Sequence, residues 1–256
     1  MYCYLQSGAP MRVLFLCAHA DDSEFCCGNT EAQLAKSSQV TIVCMTNDEY
    51  GTTRNDFKGK RIAHIRQREM RCAARLLDVK LDWLNFIDGY LPFNRRSYNI
   101  LKKYIEDVKP DIIFAPEPLF TLDFHTDHVN TGKLIYLLLK QMKRPPLLFF
   151  FHSFKPNYYV PCVERTKSLQ TLSCHVSQGM DRKLTHIGQR IYQFLYGIFR
   201  PSYVFAEGYR LVRFKAGESH FSFVRWLLYW FVKSWNNLTL PGRDHYTPTP
   251  KELGLI

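Results

Sequence analysis

No apolar run in this 256-residue sequence reaches the roughly 18 residues needed to cross a bilayer, so no membrane-spanning helix is expected within it. The N-terminus also lacks a basic leader: its apolar stretch 13–18 runs straight into charged residues with no cleavage pattern, so a cytoplasmic chain is expected. None of the eight cysteines forms a C-x-x-C pair, and several lie inside apolar runs. They read as buried, reduced thiols rather than a disulfide framework. Internal repeats and low-complexity tracts are missing too. Acidic residues are outnumbered, 23 against 34 lysines and arginines, giving a net charge of +11. Such an excess fits an acidic partner, whether nucleic acid, an anionic membrane surface or a phosphate-bearing substrate. The basic residues are dispersed and no aromatic-basic strand motif of the RNA-binding type occurs, so nucleic acid is not the expected partner.

What is present is an alternation. Short apolar runs at 12–18, 40–45, 81–86, 111–115 and 147–151 read as parallel strands covered on both faces. Helical-period segments lie between them at 30–37, 60–77, 98–108 and 129–139, and the order predicts an α/β fold with a doubly wound, mostly parallel Rossmann-like sheet and helices on both faces. Beyond residue 154 the pattern loosens, with helices expected at 164–174 and 181–199 and a strand at 207–214. One domain is expected over 1–256, with an N-terminal extension at 1–11 and an aromatic, basic C-terminal segment at 218–256.

Ligands of an open α/β sheet sit outside the carboxyl ends of its strands, so the residues just past each strand are the place to look for chemistry. The first strand ends in Ala18-His19-Ala20-Asp21-Asp22-Ser23-Glu24, and the fourth leads into Asp123-Phe124-His125-Thr126-Asp127-His128. Two imidazoles and a carboxylate suit a divalent ion and leave coordination positions free for water. Water bound to such an ion is acidified and a carbonyl oxygen is polarised. The surplus carboxylates and histidine of the same two loops can act as base and acid. Taken singly, each motif also fits a solvated loop with an aspartate N-cap; two of them at strand ends favour the metal reading.

The stretch 18–30 resembles the A-H-P-D-D-E-E signature of the LmbE/PIG-L family of zinc-dependent N-acetylglucosaminyl deacetylases, and Asp123–His128 resembles that family's D-P-H-P-D-H motif. Fainter echoes follow at Arg66 with Glu69, at Lys167 through His175-Val176-Ser177-Gln178, and at Ala206-Glu207. The resemblance implies His19, Asp22 and His128 as metal ligands and Asp21 as the base that takes a proton from water. It places His125 beside the tetrahedral intermediate and Asp127 behind an imidazole. This sequence departs from the family pattern at Ala20, Ser23 and Asn29, and at Phe124 and Thr126 where prolines are usual; none of these removes a ligand or the base.

Other residues carry two readings. Arg66 either faces substrate or forms a surface pair with Glu69 at i, i+3. The cluster Thr46-Asn47-Asp48-Glu49 after the second strand either lines the site, together with Asp123, or belongs to ordinary turn chemistry. His175 and Gln178 read as helix surface, Glu24 as a helix N-terminal charge, and His64 and His152 as structural. Residues 220–235, whose tryptophans are accompanied by Arg225, Lys233 and Arg243, suit a membrane interface, a buried packing helix or an oligomer contact. The expectation is a zinc-dependent deacetylase, with Fe2+ or another divalent ion equally accommodated. Its substrate is an N-acetylglucosamine-type sugar, lipid-linked or phosphate-bearing, met on the inner face of an anionic membrane. An amidase on a different sugar amide or thiol conjugate, and a non-catalytic basic nucleic-acid-binding module, are the competing readings.

Overall fold

The computed structural model describes residues 10–121, 123, 125–198 and 203–214. The expected segment at 218–256 and most of the N-terminal extension lie outside those residues.

Seven strands form the sheet: β1 Arg12–Cys17, β2 Gln39–Thr46, β3 Lys80–Phe86, β4 Ile112–Pro116, β5 Leu147–Phe151, β6 Tyr158–Pro161 and β7 Ala206–Val212. Their order is β3-β2-β1-β4-β5-β7-β6. The first five are parallel, whereas β7 runs antiparallel to both β5 and β6. The helices are α1 Asp22–Leu34, α2 Lys60–Leu77, α3 Arg95–Val108, α4 Thr126–Lys140, α5 Arg165–Leu172 and α6 Lys183–Gly197.

Near-continuous apolarity in the central strands follows from double coverage. Successive side chains point to opposite faces, so β1 divides between two cores. Leu14 and Leu16 join Val43, Ile113 and Phe150 under Leu101 of α3 and Leu134 and Leu138 of α4. Val13, Phe15 and Cys17 join Ile42, Cys44 and Phe114 under Cys26 and Cys27 of α1 and Met70 of α2. The doubly wound arrangement read from the sequence is therefore present. From β1 the chain winds out through β2 to β3, then returns to start β4 on the other side of β1. The loops after β1 and β4 diverge at this switch point and open a crevice between them.

Four local readings change. Helix α1 starts at Asp22, eight residues before the expected 30, because its inward face carries Ser23, Glu24, Asn29 and Glu31 and shows no apolar period. The buried Glu207 of β7 accepts the backbone N–H groups of Asn29 and Thr30 at 2.8 Å, which accommodates this polar face. β3 is an edge strand with only Phe86 buried rather than a strand covered on both faces. β6, with Pro161 at its end, was not anticipated; it pairs only with β7 at the opposite edge. The cysteines at 17, 26, 27 and 44 are buried as expected, but Cys72, Cys162 and Cys174 are only partly so. The thiols of Cys72 and Cys174 meet at 2.7 Å.

Candidate functional site

Between β1 and α1 the backbone turns sharply. Asp21, the N-cap of α1, sits in the left-handed region at φ 91°, and its side chain makes no cap hydrogen bond. A non-glycine residue held there marks a conformation imposed by its surroundings. Asp22 begins the helix and turns its Oδ2 back to accept the N–H groups of Ala18 and His19 at 2.8 and 2.9 Å, which closes the turn. Across the crevice His125 is the N-cap of α4, and its Nδ1 accepts the Asp127 N–H at 3.3 Å.

The two loops meet through their imidazoles. His19 Nδ1 lies 3.0 Å from His128 Nε2, and His128 Nε2 lies 3.1 Å from Asp22 Oδ1. Both far ring nitrogens are backed by carboxylates. His128 Nδ1 contacts Asp123, while His19 Nε2 reaches Asp88 at 3.0 Å and Asp127 at 3.2 Å. His125 stands edge-on to His19, with ring centroids 4.6 Å apart.

These donors fit a divalent cation. Burial pulls the His128 imidazole down, but Asp22 and Asp123 outweigh it and push it up to about 10; His19 is raised in the same way by Asp88 and Asp127 against its burial. Two protonated rings with nitrogens 3.0 Å apart repel each other, whereas a cation in place of those protons satisfies both nitrogens, with Asp22 Oδ1 3.1 Å from one of them. A carboxylate behind each ligand ring is the arrangement that fixes tautomer and orientation in metal sites. Among the described residues the donor groups whose ligand atoms lie within 4.8 Å of one another are His19 with His125 and His128, and His19 with Asp88, His125 and Asp127; Asp22 belongs to neither and joins the first through His128, at 3.1 Å. The second is largely committed already. Asp127 accepts the N–H groups of Gly89 at 2.6 Å and Leu91 at 3.1 Å, and Asp88 accepts that of Tyr50 at 3.0 Å.

Asp21 is tied to a buried guanidinium. Arg66 Nη2 lies 3.2 Å from Asp21 Oδ1 and 3.2 Å from Asp48 Oδ1, and it contacts the Ala20 carbonyl. Burial raises the Asp21 carboxyl above the ordinary carboxylate range, against the pull of Arg66. Burial and the neighbouring His19 hold His125 down at about 4, so this ring is neutral at pH 7. With Nδ1 accepting, its proton resides on Nε2. A cavity of about 630 Å³ is lined by His19, Asp21, Asp22, Arg66, His125 and His128, with Tyr50, Lys58, Tyr90 and Gln178 also on its wall.

Some sequence readings end elsewhere. Arg66 forms no surface pair with Glu69, which instead accepts from Ser177 at 2.7 Å. Asn47 and Glu49 do not line the cavity: the Asn47 N–H donates to the Phe86 carbonyl, and Glu49 accepts the Asp88 N–H at 3.1 Å. Asp123 is drawn into the site behind His128. His175 is fully buried, 3.7 Å from Glu24, rather than on a helix surface. Gln178 borders the cavity and donates to the Gly51 carbonyl at 2.8 Å. Asp88 was missed; its signal is an Asp-Gly pair two residues past the third strand.

A family model described as PIG-L, GlcNAc-PI de-N-acetylase, matches residues 14–139, the span that holds both loops. The chain belongs to the LmbE/PIG-L family. Within and around that family, a diacetylchitobiose deacetylase from Thermococcus kodakarensis is 27% identical over 186 residues, 65% of this chain and 70% of that protein. An N,N'-diacetylchitobiose deacetylase from Pyrococcus horikoshii, solved with its inhibitor MPG, superposes with a TM-score of 0.71 at 29% identity, over 78% of this chain and 83% of its own. A 4-carboxy-2-hydroxymuconate hydratase from Pseudomonas putida shares the fold alone, with a TM-score of 0.67 at 16% identity over 82% of this chain and 99% of its own. The PIG-L match ends at residue 139, so β5 to β7 and α6 of this LmbE/PIG-L chain lie beyond it.

Proposed function

We propose that this LmbE/PIG-L chain is a metal-dependent deacetylase that hydrolyses the N-acetyl group of an N-acetylglucosamine-type amino sugar, releasing acetate and the free amine. The observation that carries the proposal is the chain of contacts from His19 Nδ1 to His128 Nε2 and from His128 Nε2 to Asp22 Oδ1, on the wall of the cavity that Asp21 also lines. The named deacetylases among its relatives support the reaction class.

His19, Asp22 and His128 would hold the ion, zinc or iron(II), which when bound acidifies a water molecule and polarises the acetamide carbonyl. Asp21 takes the proton of the attacking water. Arg66 orients Asp21 through its 3.2 Å contact, and Asp48 shares the charge of that guanidinium so that Asp21 keeps basicity. His125 presents its Nε2–H to the oxygen that becomes negative as the carbonyl carbon turns tetrahedral, and as a neutral donor it does so without surrendering a proton early. Asp127, held by two backbone amides, keeps the His19 ring in place. Collapse breaks the C–N bond, and the amine leaves with the proton that Asp21 took from water. A lipid-linked or phosphate-bearing sugar fits the excess of positive charge and the Lys58 on the cavity wall.

Asp21→Asn keeps every ligand and removes the base. It should retain zinc and release acetate at least about a hundredfold more slowly, at the low end of general-base contributions. An active Asp21→Asn enzyme would refute the assigned base. Acetate release from soluble and from lipid-linked N-acetyl sugars separates the substrate classes.

A further inference from the structure

Helix α6 leaves its aliphatic residues outside. Its fully buried positions are Gln189, Gln193 and Gly197, flanked by Tyr192, which meets Phe25, and Gln189 donates from Nε2 to the carbonyls of Glu24 and Phe25 at 3.0 Å. Its outward positions are Leu184, Ile187, Ile191 and Leu195, followed by Ile198 just past its end, at spacings of three, four, four and three. All five are between 45% and 80% exposed. A water-facing helix turns its apolar stripe to the core. A contiguous apolar stripe turned outward marks a surface that meets something other than water.

Two features indicate what that is. The helix carries Lys183 and Arg190 and no carboxylate. Beside the stripe lies a groove of about 470 Å³, floored by Leu169, Phe194 and Phe205 and rimmed by Arg165, Lys183 and Arg190, with no acidic residue in its lining. The first turn of α6 is also tied to the cavity mouth. Thr185 Oγ1 donates to the Gly179 carbonyl at 2.9 Å, directly after Gln178, which borders the catalytic cavity. At 1.5 Å per residue the 15-residue helix runs about 22 Å away from that mouth.

We propose that α6 and its groove form a docking surface for an anionic phospholipid layer, the stripe entering the acyl boundary and the three cations meeting lipid phosphates. A second copy of the chain fits less well, since two-fold pairing would bring together two α6 faces that each carry Lys183 and Arg190 and no carboxylate to answer them. Phe214, the last described residue, packs on Tyr136 of α4, on the sheet face opposite α6. This surface stands on α6 alone and does not rest on the deacetylase reading.

The test is sedimentation of the full chain with vesicles of phosphatidylcholine, pure or containing phosphatidylinositol. The chain should sediment with the anionic vesicles and bind the neutral ones far less. The double variant Ile187→Gln, Ile191→Gln should lose about tenfold or more in affinity while keeping its deacetylation of a soluble N-acetyl sugar. In a second variant, Ile191→Trp, the fluorescence should be quenched by brominated acyl chains. The proposal is overturned if wild type stays in the supernatant with anionic vesicles, if the double variant binds as wild type does, or if the tryptophan is unquenched. It is equally overturned if the double variant turns a dimer into a monomer, or unfolds several degrees earlier, since a second copy or an internal segment would then cover the stripe.

Discussion

The carboxyl edge of the sheet and the outer face of α6 break opposite rules. At the sheet edge Asp48, Asp88 and Asp127 are withdrawn from water, whereas on α6 Leu184, Ile191 and Leu195 are left in it. Burying carboxylates is costly unless cations and N–H groups answer them. At the edge Arg66, His19 and backbone amides do so, and the result is a rigid site. Along α6 nothing in the described chain answers the hydrocarbon. The contrast separates two kinds of function: chemistry needs a site completed by the protein's own charges, while docking needs a face completed by something outside it.

The largest expected effect tests the first half of that contrast. Arg66→Met leaves Asp21 and Asp48 facing each other without their shared cation, and unfolding by denaturant should show a loss of about 3–5 kcal/mol. A loss below about 1 kcal/mol would mean that the pair neutralises itself by taking up a proton. A smaller effect is expected at Glu31, a buried carboxyl of α1 raised well above its ordinary value of 4.5 by burial and by Glu24, against the pull of Ser23. For a carboxyl raised on folding, its contribution is fully present below pH 4.5 and is lost as pH climbs toward the folded value, at up to about 1.4 kcal/mol per pH unit. Glu31→Gln should therefore gain on wild type as pH rises from about 5 to 8; parallel stability curves would contradict this. The smallest effect is at α6, where Ile191→Gln should change stability by no more than about 0.5 kcal/mol, because the side chain is more than half exposed. A large loss there would erase the contrast between the two regions.

The sequence makes the sheet easy to read and the polar helix hard. Strands 40–45 and 147–151 and the helix at 60–77 are visible because their apolar period matches their burial. Helix α1 hides its start because a face carrying Ser23, Glu24 and Glu31 has no such period, although that face is the buried one. The two loops that supply His19, Asp22 and His128 are legible as short motifs at strand ends. Asp88 is not, since a single aspartate before a glycine reads as a turn, and only three-dimensional proximity sets it 3.0 Å from His19. The pairing of Arg66 with Asp21 is hidden for the same reason: a sequence shows Glu69 three residues away on the same helix, not a carboxylate 45 positions upstream. The inverted polarity of α6 is visible as a period, but its sign is not, because a stripe of Leu184, Ile187 and Ile191 reads the same whether it faces the core or the solvent.

The most direct test of the metal site is the zinc content of wild type, Asp21→Asn, Asp22→Asn and Asp88→Asn chains equilibrated with limiting zinc. One ion per chain is predicted in wild type and in Asp21→Asn, with binding weakened most in Asp22→Asn and by about 10–100-fold in Asp88→Asn, which only supports His19 from behind. An Asp22→Asn chain that binds zinc as tightly as wild type, with binding abolished in Asp88→Asn instead, would contradict the assignment of Asp22, His19 and His128 as the ligands.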